Sequence, residues 1–443
     1  MQRKKLKSKL VDWLIRVRAS YWFVPSVMVL ISLIGALAMV RLDTYGNQWL
    51  FHQKWPYVNQ PAGARTLLSA LAGSMITVAS VTFSMTLLAV SHASAQVGPR
   101  LLDGFMRDRA NQYTLGTFIA TFLYCLMVLG NVHEGVEGQS DIPMFVPHMA
   151  IIVAMVLAVL SVLVLIYFIH HVPQSISVTN IIGGVGDELI DSIRCQYPKK
   201  MGQGEEGREN SAENDNDESR STNAQQQSVC LKVTGSGGYL RVVDGEGLMT
   251  LAVEENLTIE LYRRPGDFAI PGQPLLSVAP ASRIDDGITE RLQAVFCWGV
   301  DRTRDEDVLY PLEQLIEVLA KAMSPGINGQ YTALLCINQF ERALAEKLQR
   351  QIPDSHRYDE EGKLRIIARP VTDKQFVLAL FHPIRQFIRG DWIVTRHTLN
   401  MLERLMMMPE LVHNKALLEN AAALIREDIK SGPMLEAERL SLS

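Results

Sequence analysis

Small and hydroxylated residues recur at helical spacing through one long apolar stretch: Ser69, Gly73, Thr77, Ser80, Ser84 and Ser91. Successive steps of three, four or seven residues put all six on a single narrow stripe of a helix. Inside hydrocarbon such a stripe has two uses. It lets another helix approach closely and hydrogen-bond across the contact, or it faces water along a conduction path where hydroxyls replace part of an ion's hydration shell. The stripe holds no acid or base, which weighs against a proton relay or a charge-selecting ring. His92, Gln96 and Arg100 follow it and are expected at a cytoplasmic mouth. Of these, His92 titrates near neutrality and is either a pH-sensitive group or an interfacial polar residue. A second concentration of charge, Arg302, Arg304, Asp305, Glu306 and Asp307, offers oxygen ligands for a divalent ion and guanidinium groups for a nucleotide. The plainer alternative is a solvated loop with local salt bridges.

The remaining chemistry is sparse. No Gly-x-Ser-x-Gly, His-Glu-x-x-His or phosphate-loop motif occurs, and Gly235 to Gly238 lacks the Lys-Ser/Thr ending that a phosphate loop needs. The five cysteines, Cys125, Cys195, Cys230, Cys297 and Cys336, show no paired spacing. That argues against a disulfide framework or a CxxC metal site and fits a reducing compartment for the soluble part. Near His170 and His171 there is no carboxylate or thiol to complete a metal set. The expectation is a non-enzymatic protein with no cofactor and no metal.

These residues must be positioned by membrane-spanning helices. Four apolar runs, Tyr21 to Val40, Thr66 to Ser91, Asn111 to Val132 and Ala150 to Ile169, contain no Asp, Glu, Lys or Arg. About 20 apolar residues at 1.5 Å rise cross a hydrocarbon core of roughly 30 Å. The chain of 443 residues averages this half with a polar half, which is why its mean hydropathy is only +0.08 and its hydrophobic content 48%. Basic residues fall asymmetrically. Arg3, Lys4, Lys5, Lys7, Lys9, Arg16 and Arg18 precede the first run and Arg100, Arg107 and Arg109 lie between the second and third, against Arg41, Lys54 and Arg65 on the other side. By the positive-inside rule both termini are cytoplasmic, in the inner membrane of a bacterium. Leu6, Leu10, Trp13, Leu14 and Val17 among those basic residues predict an interfacial amphipathic helix within residues 1–20. The first run is longer than a signal peptide's apolar region.

The expected organisation is a four-span domain over 21–172, a helical connector over 173–200, an acidic linker over 201–228, a small β domain over 229–282 and a mostly helical domain over 283–443. The linker has no aliphatic or aromatic residue after Met201 and cannot offset the entropy of ordering. Val229 to Val233, Tyr239 to Val243, Leu257 to Tyr262 and Leu275 to Val278 are β-type runs separated by Gly-rich turns, which predicts a small β-barrel or sandwich. Helical periodicity returns from Ile284, with helices over Tyr331 to Gln351, Lys374 to Ile388, Trp392 to Met408 and Glu410 to Ile429, and one strand, Leu364 to Ile367, joining the β part. The fold class is thus an α-helical polytopic membrane domain with a cytoplasmic α+β domain.

The segments "VTFSMTLLAVSHASAQVGPRLLDGFMRDRANQYTLGTFIATFLYCL", "GGYLRVVD", "RPGDFAIPGQPL" and "DRTRDEDVLYPLEQLIEVLAKAMSPGINGQYTALLCI" together resemble the bacterial predicted membrane protein family known as domain of unknown function 2254. The resemblance runs from the first apolar run to about residue 405. It implies a multi-pass inner-membrane protein with a cytoplasmic C-terminal domain, and it carries no catalytic residue with it. Members of that family often read Asn-Asp-Pro where this chain has Asn328, Gly329 and Gln330, so no role of that acid transfers.

Two functions from different classes fit these observations. One is an oligomeric ion channel or channel-like transporter whose second span lines the path and whose cytoplasmic domain assembles or gates it. The other is a non-conducting membrane-anchored scaffold or sensor whose spans only pack. The expected partners are the lipid bilayer, further copies of the chain and ions. The net charge of −4 gives no argument for nucleic acid.

Overall fold

A computed structural model describes residues 22–46, 60–98, 109–133, 145–197, 228–304 and 306–431, together with Glu436 and Ser441. The predicted N-terminal amphipathic helix, all of the acidic linker but its last residue, Arg100 and Asp305 lie outside the described residues. The chain forms two compact units, Met1–Ile181 and Ile182–Ser443.

The first unit is built on helices α1 (Phe23–Gly46), α2 (Pro61–Val97), α3 (Arg109–Leu129) and α4 (His148–Ile176). Among the described residues these are the four helices long and apolar enough to cross a membrane. They cover most of each predicted run: α1 starts two residues late and α3 ends three residues early, whereas α2 and α4 enclose theirs, α2 extending well beyond its run at both ends. At 1.5 Å per residue its 37 residues are about 56 Å long, too long for a hydrocarbon core of roughly 30 Å, so its ends stand outside the apolar layer.

The most buried of the four is α3, and it packs against each of the others. Tyr124, Cys125 and Val128 of α3 share a core with Ala36 of α1, Ala64, Leu68 and Ala72 of α2, and Ala150, Ile151 and Ala154 of α4. A Cβ on Gly116 would lie 2.6 Å from Met28 Sδ and 3.2 Å from Pro25 Cα, so a side chain there would force α1 away from α3. Polar groups tie the helices where water cannot. Ser32 Oγ donates to Ala120 O at 2.6 Å, Thr121 and Ser161 share a hydrogen bond of 3.1 Å, and Tyr124 Oη donates to Ala150 O at 3.2 Å.

Two charged side chains finish this unit at one end. Asp43, in the last turn of α1, accepts from the backbone N–H groups of Met149 and Ala150 at 3.1 and 3.0 Å. Its carboxylate caps the start of α4, where unpaired donors and the helix dipole favour negative charge. Arg65 of α2 donates to Val132 O at 2.9 Å, just beyond the end of α3.

The second unit opens with helix α5 (Val178–Gln196), separated from α4 by the non-helical Ser177, whose ψ of 125° breaks the ladder. After β1 (Val229–Lys232) and β2 (Gly238–Val243) comes a helix, α6 (Gly245–Glu254), then β3 (Thr258–Leu261), β4 (Phe268–Ala269), β5 (Pro274–Ala279), helix α7 (Asp286–Ala294) and β6 (Phe296–Gly299). A hairpin of β7 (His356–Tyr358) and β8 (Leu364–Ile367) completes the strands. They form a five-stranded sheet in the order β1-β5-β3-β8-β7 and a three-stranded sheet in the order β4-β2-β6.

Neither sheet closes, so of the expected barrel or sandwich the barrel is corrected: the strands form two open sheets. The physical reason is α6 and α7: Leu248, Leu251 and Ala252 of the first, and Ile288 and Leu292 of the second, occupy the core shared with Leu231, Leu240, Ile259, Leu276, Val278 and Phe296 of the strands. Each such buried side chain contributes about 2 kcal/mol of transfer free energy. The predicted strand at Leu364 to Ile367 does join the sheet, pairing in parallel with β3 through Ile259 and Glu260. Gly238 is required at the start of β2, because it has a φ of +128° and its Cβ would lie 2.5 Å from Gly299 O.

The rest is helical: α8 (Leu309–Ala322), α9 (Gln330–Leu348), α10 (Asp373–Ile388), α11 (Trp392–Met406) and α12 (Lys415–Ser431). Helix α9 is the axis of this part, burying Ala333, Cys336, Ile337, Phe340 and Leu344. Start signals are explicit. Thr372 and Gln375 form a capping box on α10, and Asp391 accepts from Val394 N on α11.

Candidate functional site

The stripe on α2 lies on the side of that helix facing away from its own bundle. Ser69, Gly73, Thr77, Ser80, Ser84 and Ser91 are all exposed, whereas Ala64, Leu68, Ala72, Met75, Ala79, Thr82 and Thr86 are buried against α3 and α4. With 3.6 residues per turn the two sets are centred roughly 150° apart around the helix. Among the described residues the stripe therefore takes no part in packing within one chain. Its hydroxyls are partly occupied: Thr77 Oγ1 donates to Gly73 O and Ser80 Oγ to Ile76 O, both at 2.8 Å. Such bonds to the preceding turn satisfy the hydrogen and leave oxygen lone pairs outward.

The outward faces of neighbouring helices are different. On α1 they carry Val27, Leu30, Ile31, Ile34 and Leu37, and on α4 Val156, Val159, Leu160, Val162, Leu163 and Ile166, all large aliphatic side chains. Those faces suit lipid tails; on α2 the stripe runs between exposed Ile76, Val81, Phe83, Met85, Leu87 and Leu88, and its serine, threonine and glycine gain little from lipid and much from a close helix or from water. At the end of α2, His92 is exposed and Gln96 falls in the last turn. Further along, at the end of α4, Tyr167 stacks on His171 with ring centroids 5.3 Å apart, and His171 Nε2 is 3.1 Å from Ser175 Oγ.

The charge cluster of the second unit separates into three sets. Arg302 pairs with Asp307 at 2.6 Å and with Glu313 at 2.5 Å, and its guanidinium lies 5.6 Å from the Tyr310 ring centre. Asp307, only 4% exposed, also accepts from Leu309 N at 3.1 Å at the start of α8. Burial raises the Asp307 carboxyl, while Arg302 and the Leu309 N–H pull it down. Arg304 turns instead to Glu188 on α5. Glu306, between them, accepts from Val243 N at 2.9 Å and so holds β2. Three charges thus tie the loop to α8, α5 and a sheet. Among the described residues no group of His, Cys, Asp and Glu is arranged to hold a metal ion.

A second ionic site was not foreseen. Lys347 of α9 is wholly buried, its ammonium pairs with Asp373 at the start of α10, and it sits 4.0 Å from the centre of the Tyr197 ring. Tyr197 follows α5 and donates from its hydroxyl to Val371 O at 3.1 Å. Arg350 donates to Tyr197 O at 2.7 Å, and Glu346 accepts from both Arg350 and Arg194. Hydrogen bonding from Arg194 holds the Glu346 carboxyl below its usual value; burial lowers the Lys347 ammonium, against the pull of Asp373. The residues come from three distant segments, and a lone lysine in a helix reads as surface. Asp373 beside the Thr372 cap was the available signal.

Four apolar helices carrying a mixed α/β unit define a multi-span membrane protein. Residues 18–404 match the predicted membrane protein family DUF2254, and the chain belongs to it. It is similar to uncharacterised proteins of Mycobacterium bovis and Mycobacterium tuberculosis, each 29% identical over 363 residues. That alignment covers 81% of this chain and 66% of the relatives, so the chain spans a little under two thirds of their length. No solved structure matches the chain.

Proposed function

We propose that the protein is an oligomeric ion channel or channel-like transporter of the bacterial inner membrane, non-catalytic, with α2 lining the path. The observation that carries this reading is a contrast between outward faces: α1 and α4 turn out runs of large aliphatic residues, whereas on α2 a continuous stripe of small and hydroxylated residues runs between exposed apolar ones. In a symmetric assembly the stripe of each copy presents its oxygens to a central axis. The soluble unit then assembles or gates the path on the cytoplasmic side, where the basic residues around the spans place both termini. Flux into liposomes carrying the purified protein tests the proposal. Ser80→Leu and Ser84→Leu are expected to abolish flux while the assembly stays intact. Absence of conductance for common ions across voltage and pH would overturn it.

The second reading is a non-conducting scaffold or sensor. It is favoured by the bonds of Thr77 and Ser80 to their own helix, which let hydroxyls face lipid without a partner. Under it the leucine variants weaken assembly or folding, and the soluble unit retains a cytoplasmic partner in pull-down.

A further inference from the structure

We propose that one end of the soluble unit, formed by the α8–α9 turn and the start of α11, rests on the anionic lipid surface of the membrane. The direction of that end follows from how α5 lies on α9. Asp187 pairs with Arg342 at 2.9 Å, Arg194 with Glu346 at 3.2 Å, and Tyr197 O accepts from Arg350. Residue numbers rise together on both helices, so they run side by side in the same direction. The chain comes from the spans and enters this unit at Ile182. From the Asp187–Arg342 pair, Ile182 lies about 8 Å back along α5 and Gln330 about 18 Å back along α9 at 1.5 Å per residue. The α8–α9 turn therefore stands at the same end of this unit as Ile182, where the chain enters it.

What stands at that end has the chemistry of a bilayer interface. Ile327 and Tyr331 are 46% and 77% exposed, Ile393 in the first turn of α11 is exposed too, and Gln330 Nε2 donates to Asp391 at 2.6 Å and holds the starts of α9 and α11 together. The Arg396 guanidinium lies 4.9 Å from the centre of the Trp392 ring and, like Arg389, is exposed. Aromatic, aliphatic and guanidinium groups side by side match the headgroup layer, where rings sit at the boundary and cations meet anionic phosphates. The nearby acid Asp391 is engaged in capping α11 and holding Gln330.

The turn is also built to meet lipid. Ile327 N and Asn328 N donate to Ser324 O at 3.0 and 2.9 Å, and Gly329 N donates to Ala322 O at 2.7 Å. Asn328 takes the left-handed φ of +46° that such a turn needs. Its backbone donors are satisfied internally, as an apolar boundary demands, and Ile327 is held outward without further ordering. The opposite end of α9 supplies a comparison. Asn414 bonds Leu348 O at 3.2 Å there, and Val412, in the same short helical turn, is 61% exposed. It is as apolar as Ile327 but lies about 27 Å away along α9.

The test is spin labelling of the full-length chain in vesicles, with exposed Cys195, Cys230 and Cys297 changed to Ser. Labels are placed at Tyr331→Cys and Val412→Cys, and relaxation by oxygen, which partitions into lipid, is compared with relaxation by a water-soluble nickel chelate. In vesicles containing phosphatidylglycerol the oxygen-to-nickel ratio at position 331 is expected to exceed that at 412 several-fold. It should fall toward the 412 value with Arg389→Gln and Arg396→Gln together, or in vesicles of phosphatidylcholine alone. Equal ratios at both positions would overturn the proposal. So would protection of position 331 from both reagents, which means a protein covers it, or a ratio unaffected by lipid charge and by the arginine variants.

Discussion

Removing Asp373 should cost far more than removing the lysine it neutralises. Lys347 is wholly buried, and its two described partners are the Asp373 carboxylate and the face of Tyr197. Asp373→Ala leaves a desolvated ammonium against the ring alone, and breaking a buried pair from one side costs about 3–5 kcal/mol. The amine can escape by losing its proton, which sets a ceiling. From its ordinary value of 10.5 down to pH 7, at about 1.36 kcal/mol per pH unit, that ceiling is about 5 kcal/mol, and at pH 9 it is about 2 kcal/mol. Lys347→Met removes the charge with its desolvation and forfeits about 1–2 kcal/mol of cation–π attraction. It leaves Asp373 partly exposed at the first turn of α10, where the helix dipole favours a carboxylate. The expected order of loss is therefore Asp373→Ala well above Lys347→Met, with the double variant close to Lys347→Met. Native-state hydrogen exchange of α9 and α10 amides in the detergent-solubilised chain reads the opening free energies directly. A smaller loss for Asp373→Ala than for Lys347→Met, or a gap that does not narrow between pH 7 and pH 9, would refute the reasoning.

Three further outcomes follow from the same structure. Asp43→Ala is expected to lower stability of the spanning unit by about 1–2 kcal/mol through loss of the cap on α4, with Asn largely restoring it, measured as the thermal midpoint in detergent. Gly116→Leu should separate α1 from α3, since even a Cβ meets Pro25 Cα at 3.2 Å, and a cysteine pair across that contact should then cross-link more slowly. Asp428 and Glu346 are both held below their ordinary values of 3.8 and 4.5, first by hydrogen bonds from Arg385 and Arg194 respectively. Their contribution is present above those values and is lost as pH falls through the depressed ones. Asp428→Asn and Glu346→Gln should flatten the acid side of the exchange-detected stability profile of α10, α12 and α9.

The spanning helices were legible because hydrocarbon demands long uncharged runs, and that signal needs no knowledge of what packs on what. What it could not reveal was which face of α2 packs inward. Ala64, Ala72 and Ala79 are as small as the striped residues, and only the position of α3 distinguishes the two sides. In the soluble unit, α6 was read as a turn because Gly245 and Gly247 follow Asp244. The contrary signal was that Asp244 caps the helix, accepting from Gly247 N at 2.9 Å, with Leu248, Leu251 and Ala252 behind it. The barrel was expected because α6 was not read as a helix and α7 was assigned to the helical part, whereas side chains of both fill the core between the strands. The parallel pairing of β3 with a strand more than a hundred residues downstream is one that no local pattern encodes. Arg302 and Asp307 belong to a charge cluster visible in the sequence, but their pairing with each other and their burial against Glu313 and α8 emerge only in three dimensions.

The central claim is that the outward stripe of α2 meets water and further copies of the chain rather than lipid. Single cysteines at Ser80 and Ser84, with Val156 and Leu163 of α4 as lipid-facing references, test it in native membranes. The account predicts disulfide-linked pairs of chains and modification by a charged thiol reagent at Ser80→Cys and Ser84→Cys, and neither at the α4 positions. If the two α2 positions stay unlinked and unreactive, as the α4 positions should, the stripe faces lipid and the claim is contradicted.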